Sequence, residues 1–448
     1  MEERHYDIIV AGGGPAGINA AIAAGRQGKT TLLIERYGFV GGMSTAALVY
    51  PWMTFHTESG KQVIKGIAQE IVERLMERGG SPGHLRDTIG FVHTVTPYHP
   101  EIYQVLAMEM LYEARADVLL HSFIDEVNVK DGRIDHVVVS GKSGRLKLSG
   151  AMFIDCTGDA DVAYLSGAPV QIGREKDNLT QPLTMKFRMR GVDLEKVKQH
   201  IIDHPENFYQ KMMVEELANN EVPLTGVQGF YPQWEAGGVP INRDQVLFFT
   251  GPADDEVLIN CSRVQGHNGA DVYDLTKAEL EGRKQVLMLR DFFRSSIPGF
   301  ENAEVSNVGT QIGIRETRRI NGEYILTKED VTAGKRFADV IARSGYPIDI
   351  HDPTKKNVEV AWVEGDGAFD IPYRCLVAKQ VSNLLAAGRC ISTTHEAFAT
   401  TRLTPSAMAT GQAAGTAAAL AVNEGCAPAD IDVKQLQQIL ASEGVVLD

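Results

Sequence analysis

The residues most able to carry chemistry begin in a glycine-rich turn near the N-terminus. Residues 12–17 read GGGPAG, so Gly12, Gly14 and Gly17 fill the pattern G-x-G-x-x-G, and Glu35 stands 18 residues beyond Gly17. In such a turn the first glycine permits a tight bend, the second lets the backbone approach a pyrophosphate, and the third lets a helix pack closely on a strand. A carboxylate at position 35 can accept hydrogen bonds from ribose hydroxyls. The spacing predicts a dinucleotide site; a glycine-rich turn beside a surface glutamate is the alternative.

Three later features favour FAD over NAD as the dinucleotide. GGMST at residues 41–45 supplies a second glycine pair beside a long cofactor, and DCTGD at 155–159 ends a strand in a turn that allows close approach. Gly388 and Arg389 follow a strand near the C-terminus, and TGQAAG at 410–415 is predicted to open a helix. A helix N-terminus directed at the flavin would stabilise the anion formed on reduction. For TGQAAG alone, a closely packed alanine-rich helix is the alternative.

An open parallel sheet has to position these turns. Residues 6–11 form an apolar run typical of a buried parallel strand, residues 15–27 read as a helix rich in alanine, and residues 30–35 read as a second strand. Towards the C-terminus a buried strand returns at 383–390, and residues 405–423 form a helix of small residues. The sequence therefore predicts an α/β fold containing a doubly wound, Rossmann-like FAD-binding domain.

The middle of the chain differs in character from both ends. Between residues 166 and 370, charged helices are interspersed with short segments of strand-like alternation. A single hydrophobic core rarely grows beyond roughly 300 residues, so a chain of 448 residues is expected to form two domains. We expect the FAD-binding domain to comprise residues 1–165 and 371–448, with an α+β substrate or cap domain inserted at 166–370.

Charge and hydropathy bear on the partners of the chain. The formal net charge is −14, from 44 Lys and Arg against 58 Asp and Glu, so nucleic acid is not an expected partner. No run of 18 apolar residues occurs, and no membrane span is expected. The expected partner is a small-molecule substrate, and a homo-oligomer is left open.

The cysteines and the N-terminus bear on metals and on the compartment. None of the five cysteines forms a C-x-x-C pair, and the two closest are 15 residues apart. This spacing argues against an iron–sulfur cluster or a zinc knot built by the chain alone, so no metal site is predicted. A sparse, odd cysteine count and an N-terminus without a signal-peptide pattern predict a cytoplasmic protein.

Four segments together resemble a known family. They are YDIIVAGGGPAGINAAIAAGRQGKTTLLIERYGFVGG, DCTGDADVA, NLLAAGRCIS and RLTPSAMATGQAAGTAAAL. This combination resembles FAD-dependent oxidoreductases of the glutathione-reductase-like superfamily, and it is distantly similar to succinate dehydrogenase and fumarate reductase flavoproteins. The resemblance covers nearly the whole chain and implies FAD as the cofactor.

The resemblance also implies roles for individual residues along the cofactor. The implied cofactor-binding residues are Gly12, Gly14, Pro15, Ala16 and Gly17 at the pyrophosphate, Glu35 and Arg36 at the ribose, Gly41, Gly42 and Ser44 along the cofactor, Ile124 at the adenine, Thr157 and Gly158 in the second turn, and Gly388, Arg389, Gly411, Gln412 and Ala413 beside the ribityl chain and ring. Many relatives carry an acidic residue where this chain has Arg389, and an arginine there would suit the pyrophosphate.

The resemblance does not extend to succinate or fumarate chemistry. The fumarate reductase run that follows its histidine with a glycine and an Asn-Arg pair is not matched, since His395 and Arg402 stand seven residues apart here. Both lie between the late strand and the predicted helix. Arg402 is a candidate clamp for a carboxylate or phosphate, and His395 is a candidate proton shuttle. An exposed loop with a structural arginine is the alternative.

Two further segments supply weaker catalytic candidates. In GIRETRR at residues 313–319, Arg315 and Arg318 would share a helix face, and Glu316 would pair with Arg319. Arg315 is therefore a candidate for binding an anionic substrate, with a solvated ion-pair helix as the alternative. His56 lies in PWMTFHTESG, a segment expected to cover the flavin, where it would bind substrate or attach the flavin covalently. An ordinary loop histidine is the alternative.

The expected function is FAD-dependent oxidation or reduction of a small polar or anionic metabolite, by hydride transfer to or from the flavin. The alternative is a flavoprotein subunit or FAD-binding protein that serves an electron-transfer or RNA-modification complex. The acidic charge counts against RNA, and the absence of cysteine clusters means that an iron–sulfur centre would have to come from another chain.

Overall fold

A computed structural model describes residues 2–356 and 358–448. The strands, numbered in chain order, are β1 (Glu2–Ala11), β2 (Thr31–Ile34), β3 (Leu85–Arg86), β4 (Thr94–Val95), β5 (Ala116–Leu119), β6 (Phe123–Lys130), β7 (Arg133–Gly141), β8 (Gly144–Asp155), β9 (Val170–Ile172), β10 (Phe187–Arg190), β11 (Gly226–Gly229), β12 (Val246–Thr250), β13 (Glu256–Ile259), β14 (Glu304–Val308), β15 (Arg318–Ile320), β16 (Val340–Ser344), β17 (Ile348–His351), β18 (Val358–Ala361), β19 (Phe369–Pro372) and β20 (Leu384–Ala386).

The helices are numbered in the same way. They are α1 (Pro15–Arg26), α2 (Met43–Ala46), α3 (Ile67–Glu77), α4 (Pro100–Glu113), α5 (Asp161–Leu165), α6 (Leu194–Asp203), α7 (Val214–Ala218), α8 (Tyr231–Gly237), α9 (Val272–Ser296), α10 (Lys328–Thr332), α11 (His395–Thr401), α12 (Thr404–Glu424) and α13 (Val433–Ser442). Single 3-10 turns occur at Pro205–Asn207, Tyr373–Cys375, Gly388–Cys390 and Pro428–Asp430. None of the helices in the described residues is both long and apolar enough to cross a membrane.

The central sheet is parallel through five strands, in the order β5, β2, β1, β8 and β20. Register aligns their carboxyl ends, so Leu119, Ile34, Ala11, Asp155 and Ala386 form one row across the sheet. Ligands of open α/β sheets bind beyond this edge of the sheet. The predicted doubly wound α/β architecture is confirmed, and the C-terminal strand β20 completes the sheet that the N-terminus begins.

Strand β8 pairs with two different strands along its edge away from β1. Its first half pairs antiparallel with β7, which continues into β6, and its last residues, Phe153 to Asp155, pair parallel with β20. The β6–β7 hairpin therefore extends the sheet sideways. The start of β6 is consequently brought close to the carboxyl edge, where Ile124 was expected to lie.

Helix α12 packs on α1 through two glycines. A Cβ at Gly411 would stand 2.1 Å from the carbonyl oxygen of Ala16, and one at Gly415 would stand 2.1 Å from that of Ala20. Only glycine allows two helix backbones to approach this closely. The glycines of TGQAAG are thus packing residues in the interior of a fully buried helix.

The prediction that TGQAAG opens a helix is wrong. Helix α12 begins at Thr404, six residues before Thr410, and Pro405 occupies its first turn. Proline is favoured there because its missing N–H is one that a helix start leaves unpaired in any case. The helix N-terminus therefore lies at residues 404–406.

The middle of the chain forms a second layer with its own core. Strands β11, β12, β13, β10 and β14 make a five-stranded antiparallel sheet that helix α9 covers. One apolar cluster runs from Leu183 to Ile314, whereas Leu326, Ile341 and Phe369 belong to the core beneath the parallel sheet. The division at residues 166 and 370 stays a prediction, and the buried contacts favour an inserted unit closer to 183–314.

Replacing Gly411 by alanine is expected to destabilise the protein, although alanine forms helices better than glycine by about 1 kcal/mol. The new Cβ would meet the Ala16 carbonyl and force α1 and α12 apart. Overpacking of this kind costs about 1 to 3 kcal/mol. Thermal denaturation of the FAD-free protein measures the effect, and a melting temperature at or above that of the wild type would contradict this packing.

Candidate functional site

A cleft opens at the carboxyl edge of the parallel sheet. Its walls come from the ends of β1 and β2 (Gly12, Ile34, Glu35, Arg36 and Tyr37), the start of α1 (Gly14, Pro15 and Ala16), the start of α2 and the glycine before it (Gly42, Met43 and Ser44), the start of β6 (Ser122, Phe123 and Ile124), the turn after β8 (Cys156, Thr157, Gly158 and Asp161) and the segment from β20 to α12 (Ala387, Gly388, Arg389, Arg402, Thr404 and Ala407). The carboxyl ends of β1, β2, β8 and β20 thus all border the cleft.

The three glycines of the first turn have separate roles. A Cβ at Gly12 would stand 2.5 Å from the carbonyl oxygen of Cys156, and one at Gly17 would stand 1.8 Å from the carbonyl oxygen of Gly12. Those two glycines bring β1, α1 and the turn after β8 together. Gly14 differs, because its Cβ would meet only the Cα of Gly42, at 3.7 Å, and would otherwise enter the cleft. Gly14 therefore keeps this part of the cleft open for a ligand.

Glu35 is buried, and its carboxylate helps to hold the turn. It accepts hydrogen bonds from the backbone N–H groups of Gly13 at 2.7 Å and Tyr37 at 2.9 Å. Burial raises the pKa of Glu35, and these two hydrogen bonds act against that rise. A carboxylate offers about four acceptor positions, so two remain for the ribose hydroxyls that the sequence predicts. Glu35 is also a structural residue.

The second turn, after β8, is organised by a buried aspartate. Asp155 accepts hydrogen bonds from the hydroxyl of Thr157 at 2.7 Å and from the backbone N–H of Ala163 at 2.9 Å. Burial raises the pKa of Asp155 to about 6. The structure places Thr157 and Gly158 on the cleft wall, where the sequence expects them.

Arg389 closes this second turn from the side of β20. Its guanidinium donates to the Gly158 carbonyl at 2.8 Å, to Asp159 at 2.5 Å and to the Ile314 carbonyl. These donors are engaged within the protein, so the structure does not favour the expected pairing of Arg389 with a pyrophosphate. Arg389 instead ties the cleft to the inserted unit.

Five predicted cofactor residues do not line the cleft: Gly17, Gly41, Gly411, Gln412 and Ala413. Gly17 and Gly411 pack backbone against backbone, and Gly41 donates its N–H to the Gly13 carbonyl at 2.8 Å. Gln412 accepts from the backbone N–H of Ile67 at 2.9 Å and donates to Glu443 at 2.9 Å, so it joins α12 to α3 and α13. The expected placement of Gly411, Gln412 and Ala413 beside the ribityl chain and ring is corrected, because the residues of α12 that line the cleft are Thr404 and Ala407.

A second cavity, of about 590 Å³, lies between the parallel sheet and the inserted unit, and we call it the inner cavity. It shares Met43, Arg389, Arg402 and Thr404 with the cleft, so the two spaces meet at these four residues. Its volume is within the range of about 300 to 1,000 Å³ that small-molecule sites occupy. The inner cavity is therefore large enough to hold a metabolite beside a ligand of the cleft.

Basic side chains gather in the inner cavity close to the junction with the cleft. Arg402 lines both spaces, and its Nε is buried and has no hydrogen-bond partner among the described residues. The closest carboxylate oxygen belongs to Asp349, 4.0 Å from Nη2 of Arg402. Arg315 donates to the Pro182 carbonyl at 2.7 Å and to the Thr184 hydroxyl at 2.5 Å.

The pKa values reflect crowding of like charges. Burial, followed by the charge of Arg402, lowers the pKa of Arg315 to about 9, so Arg315 is still protonated at neutral pH. Burial alone would raise the pKa of Asp349, but the His351 imidazole and the guanidiniums of Arg402 and Arg315 hold it below its usual range. Burial also lowers the pKa of His351 to about 3 and keeps that ring neutral.

Two predicted catalytic histidines lie outside both spaces. His395 is buried, and its Nδ1 is 2.8 Å from Glu316, which also pairs with the buried Arg319. His56 is 2.8 Å from the Thr94 hydroxyl and packs edge-on against the ring of His84. Burial lowers the pKa of His56 to about 4. Neither histidine contacts the cleft, so their expected roles as proton shuttle, substrate ligand or flavin attachment are corrected.

The segment GIRETRR is not a helix. Arg315 lies outside any helix or strand, and β15 begins at Arg318, so Arg315 and Arg318 do not share a helix face. Arg318 pairs with Asp161 at 2.5 Å. Of the three arginines in GIRETRR, Arg315 is the one that lines the inner cavity. The expected pairing of Glu316 with Arg319 is present.

Sequence reasoning missed several residues of the inner cavity, above all Lys186, Asp349 and His351. They lie in strands, or beside strands, of the middle region and meet Arg402 only through the tertiary fold. The start of α12 at Thr404 lies within one residue of the helix that the sequence predicts at 405–423, and Pro405 is a helix-start signal.

A glycine-rich turn and a cleft at the carboxyl edge of a parallel sheet are typical of dinucleotide-binding proteins, and a family model gives the class of enzyme. The model described as "FAD dependent oxidoreductase" matches residues 7–440, so the chain belongs to the FAD-dependent oxidoreductase family. It is an enzyme whose cofactor is FAD. The cleft suits this cofactor, because Gly14 leaves room for a pyrophosphate and Glu35 retains free acceptor positions.

Curated relatives match over limited segments. The ferredoxin–NADP reductase of Streptococcus equi subsp. zooepidemicus is 36% identical over 77 residues, which are 17% of this chain and 23% of that protein. The tRNA uridine 5-carboxymethylaminomethyl modification enzyme MnmG of Streptococcus agalactiae serotype III is 25% identical over 202 residues, 43% of this chain and 30% of that protein. The chain thus spans less than a third of the length of either relative.

Solved structures match over a longer extent at low identity. A geranylgeranyl bacteriochlorophyll reductase-like protein from Thermoplasma acidophilum is 13% identical, with a TM-score of 0.47 over 98% of this chain and 83% of its own. The p-nitrophenol 4-monooxygenase PnpA from Pseudomonas putida is 11% identical, with a TM-score of 0.46 over 98% of this chain and 84% of its own.

Replacing Gly14 by aspartate is expected to abolish FAD binding while preserving the fold. Gly14 is the N-cap of α1 with an extended backbone, at φ −75° and ψ −178°, and aspartate is a favoured N-cap residue. Its side chain would enter the cleft and repel a pyrophosphate. The measurement is FAD content after purification, with circular dichroism as the check on folding.

A yellow Gly14→Asp protein with full FAD content would show that the pyrophosphate lies elsewhere. A colourless and unfolded variant would instead mean that Gly14 is needed for packing, contrary to the open space beside it.

Proposed function

We propose that the protein transfers a hydride between FAD and a small, anionic metabolite that binds in the inner cavity. Arg402 and Arg315 hold the anionic group of this substrate. The proposal is supported by the position of the inner cavity, which meets the cleft at Arg402 and is the right size for a metabolite beside a cofactor.

The observation that carries the proposal is the unsatisfied guanidinium of Arg402. An arginine does not lose its proton at neutral pH, and a buried charge without a partner is costly. In the described residues its Nε has no hydrogen bond, and Asp349 is at the outer limit of an ion pair. A carboxylate or phosphate oxygen at the junction would satisfy these donors in a bidentate manner.

The lining of the inner cavity also contains a group of apolar side chains. It includes Pro51, Met53, Ile89, Phe91 and Phe249. The substrate we propose therefore carries an anionic group for the arginines and a body that tolerates apolar contact. Flexible lysines alone would fix such a group less well than two guanidiniums do.

FAD supplies, when bound, a two-electron acceptor or donor for a hydride. The chain's own task is then to hold the substrate carbon beside the cleft and to exclude water. Met43, Arg389, Arg402 and Thr404 form the junction where these two requirements meet. A role in RNA modification fits less well, because the net charge of −14 would repel a phosphate backbone.

Substitution of Arg402 by lysine tests the proposal. The charge remains, but the planar fork is lost, and a misplaced charged contact costs on the order of 2 to 4 kcal/mol. We expect anaerobic flavin reduction by hydroxylated carboxylates to slow about 30- to 1000-fold, with FAD content near that of the wild type. Arg283→Lys, on the exposed side of α9, is the matched control, and it should leave the rate unchanged.

Loss of FAD in proportion to the loss of rate would assign Arg402 to the cofactor or to the fold. An unchanged rate in Arg402→Lys would remove the arginine from substrate binding altogether. Either outcome contradicts the proposed clamp.

A further inference from the structure

The inner cavity contains a lysine that lacks the usual partners of a buried cation. Lys186 precedes β10 and is partly accessible from the cavity. Within residues 2–356 and 358–448, no carboxylate pairs with its ammonium group and no hydrogen bond holds it. Lysines enclosed in proteins are ordinarily paired, so the unpaired state of Lys186 requires an explanation.

Backbone pairing fixes Lys186 beside the arginine segment. The Lys186 carbonyl accepts a hydrogen bond from Gly309 at 3.0 Å, and Thr184 exchanges two hydrogen bonds with Gly313, at 3.0 and 2.8 Å. The guanidinium of Arg315 is in turn bonded to the Thr184 hydroxyl, two residues from Lys186. These backbone hydrogen bonds fix the position of Lys186 relative to the segment that carries Arg315. Lys186, Arg315 and Arg402 line the same cavity.

We propose that Lys186 is a catalytic residue that exchanges a proton with a hydroxyl group of the substrate. In the oxidative direction the neutral amine takes the hydroxyl proton, the hydride leaves the same carbon for the FAD, and a carbonyl forms. The reverse direction returns the proton from the ammonium. The substrate is then a hydroxylated anion, and this assignment rests on the proposed function.

The surroundings of Lys186 favour this role. Burial, followed by the charges of Arg315 and Arg402, lowers the pKa of Lys186 to about 7, so both protonation states are populated near neutral pH. An anionic group placed between the two guanidiniums offsets part of their charge and raises the pKa of Lys186. Substrate binding therefore makes the amine a stronger base.

We next consider whether another ionisable group of the cavity could change its protonation near neutral pH. Asp349 stays ionised beside Arg402, and His351 stays neutral. Burial raises the pKa of Asp87 to about 6, although three backbone N–H groups bond to its carboxylate. The remaining charged groups are Arg243, Asp244 and Lys356, and the tyrosines of the cavity have raised pKa values. Asp87 is therefore the competing explanation for a pH effect near neutrality.

The first measurement needs no turnover. FAD-loaded protein is treated with glyoxylate, a small anionic aldehyde, and sodium cyanoborohydride across pH 6 to about 9, and carboxymethylated lysines are located by peptide mass spectrometry. A lysine with a pKa near 7 has a neutral fraction on the order of 1000-fold larger at pH 7 than an ordinary lysine. We expect Lys186 to be labelled at least about tenfold faster than Lys277, an exposed residue of α9.

The second measurement is the pH dependence of anaerobic flavin reduction by the hydroxylated carboxylates. In the wild type the rate at low substrate concentration should rise with pH through about 7, because only the neutral amine accepts the proton. At saturating substrate the rise should occur at higher pH, since the bound anion raises the pKa. Lys186→Met should lose this rise and slow reduction by about 100-fold or more.

Two variants separate the role of Lys186 from structural effects. Lys186→Arg keeps the charge but cannot release a proton, so it should be as slow as Lys186→Met while retaining FAD. Asp87→Asn should keep the pH dependence near 7. If instead Asp87→Asn loses that dependence and Lys186→Met keeps it, the proposal is overturned.

The outcomes separate this proposal from the proposed function. Labelling of Lys186 no faster than that of Lys277, or a Lys186→Met protein with the wild-type rate and pH dependence, overturns the proton-transfer role and leaves the Arg402 clamp standing. If no hydroxylated anion reduces the flavin, the proposed function is contradicted. The proton-transfer role of Lys186 is then contradicted as well, because it rests on that function.

Discussion

Close backbone packing around helix α1 is the constraint on which the rest of the structure depends. Gly17 lets α1 meet the end of β1, and Gly411 and Gly415 let α12 lie against α1 at Ala16 and Ala20. Because α12 begins at Thr404, this contact also fixes where Arg402 stands. Glycines of the dinucleotide turn and glycines of α12 therefore together set the distance between the cofactor cleft and the residues expected to bind substrate.

The second determinant is positive charge that the protein does not neutralise. Arg315, Arg402 and Lys186 share one cavity, and Asp349 is engaged by His351 and Arg402. Two other buried arginines are paired with carboxylates, Arg343 with Asp370 and Arg319 with Glu316. The sparse pairing of Arg402 and Lys186 supports the proposal that an anion binds in the inner cavity. Poorly paired cations in the cavity lower the free energy of unfolding, and a bound anion would restore part of it.

The sequence was most informative where structure is local. The unit of β1, α1 and β2 lies within about 30 residues, and its glycine spacing and acid at position 35 carry their own physical reasons. Arg402 was singled out because it is the one charged residue between 397 and 423, and Arg315 because three arginines cluster at 313–319. TGQAAG was misread because small residues serve a helix N-terminus and a close helix contact equally well.

Residues that depend on distant contacts could not be read from the sequence. His395 resembles a catalytic residue by position, but Glu316, 79 residues away in the chain, holds it in the core. Lys186, Asp349 and His351 are unremarkable in their own segments and gain meaning only when the sheet and the inserted unit bring them to Arg402. Local propensity and periodicity do not show which residues distant in the sequence meet in one cavity.

The central claim is that the inner cavity selects an anion and presents it to FAD. The most direct measurement compares anaerobic flavin bleaching by a panel of hydroxylated carboxylates with bleaching by their neutral amides, at matched concentrations. The account predicts that at least one carboxylate reduces the flavin and that its amide does so far more slowly, because Arg402 and Arg315 then lack a charged partner. An amide that bleaches the flavin as fast as its carboxylate would contradict the account.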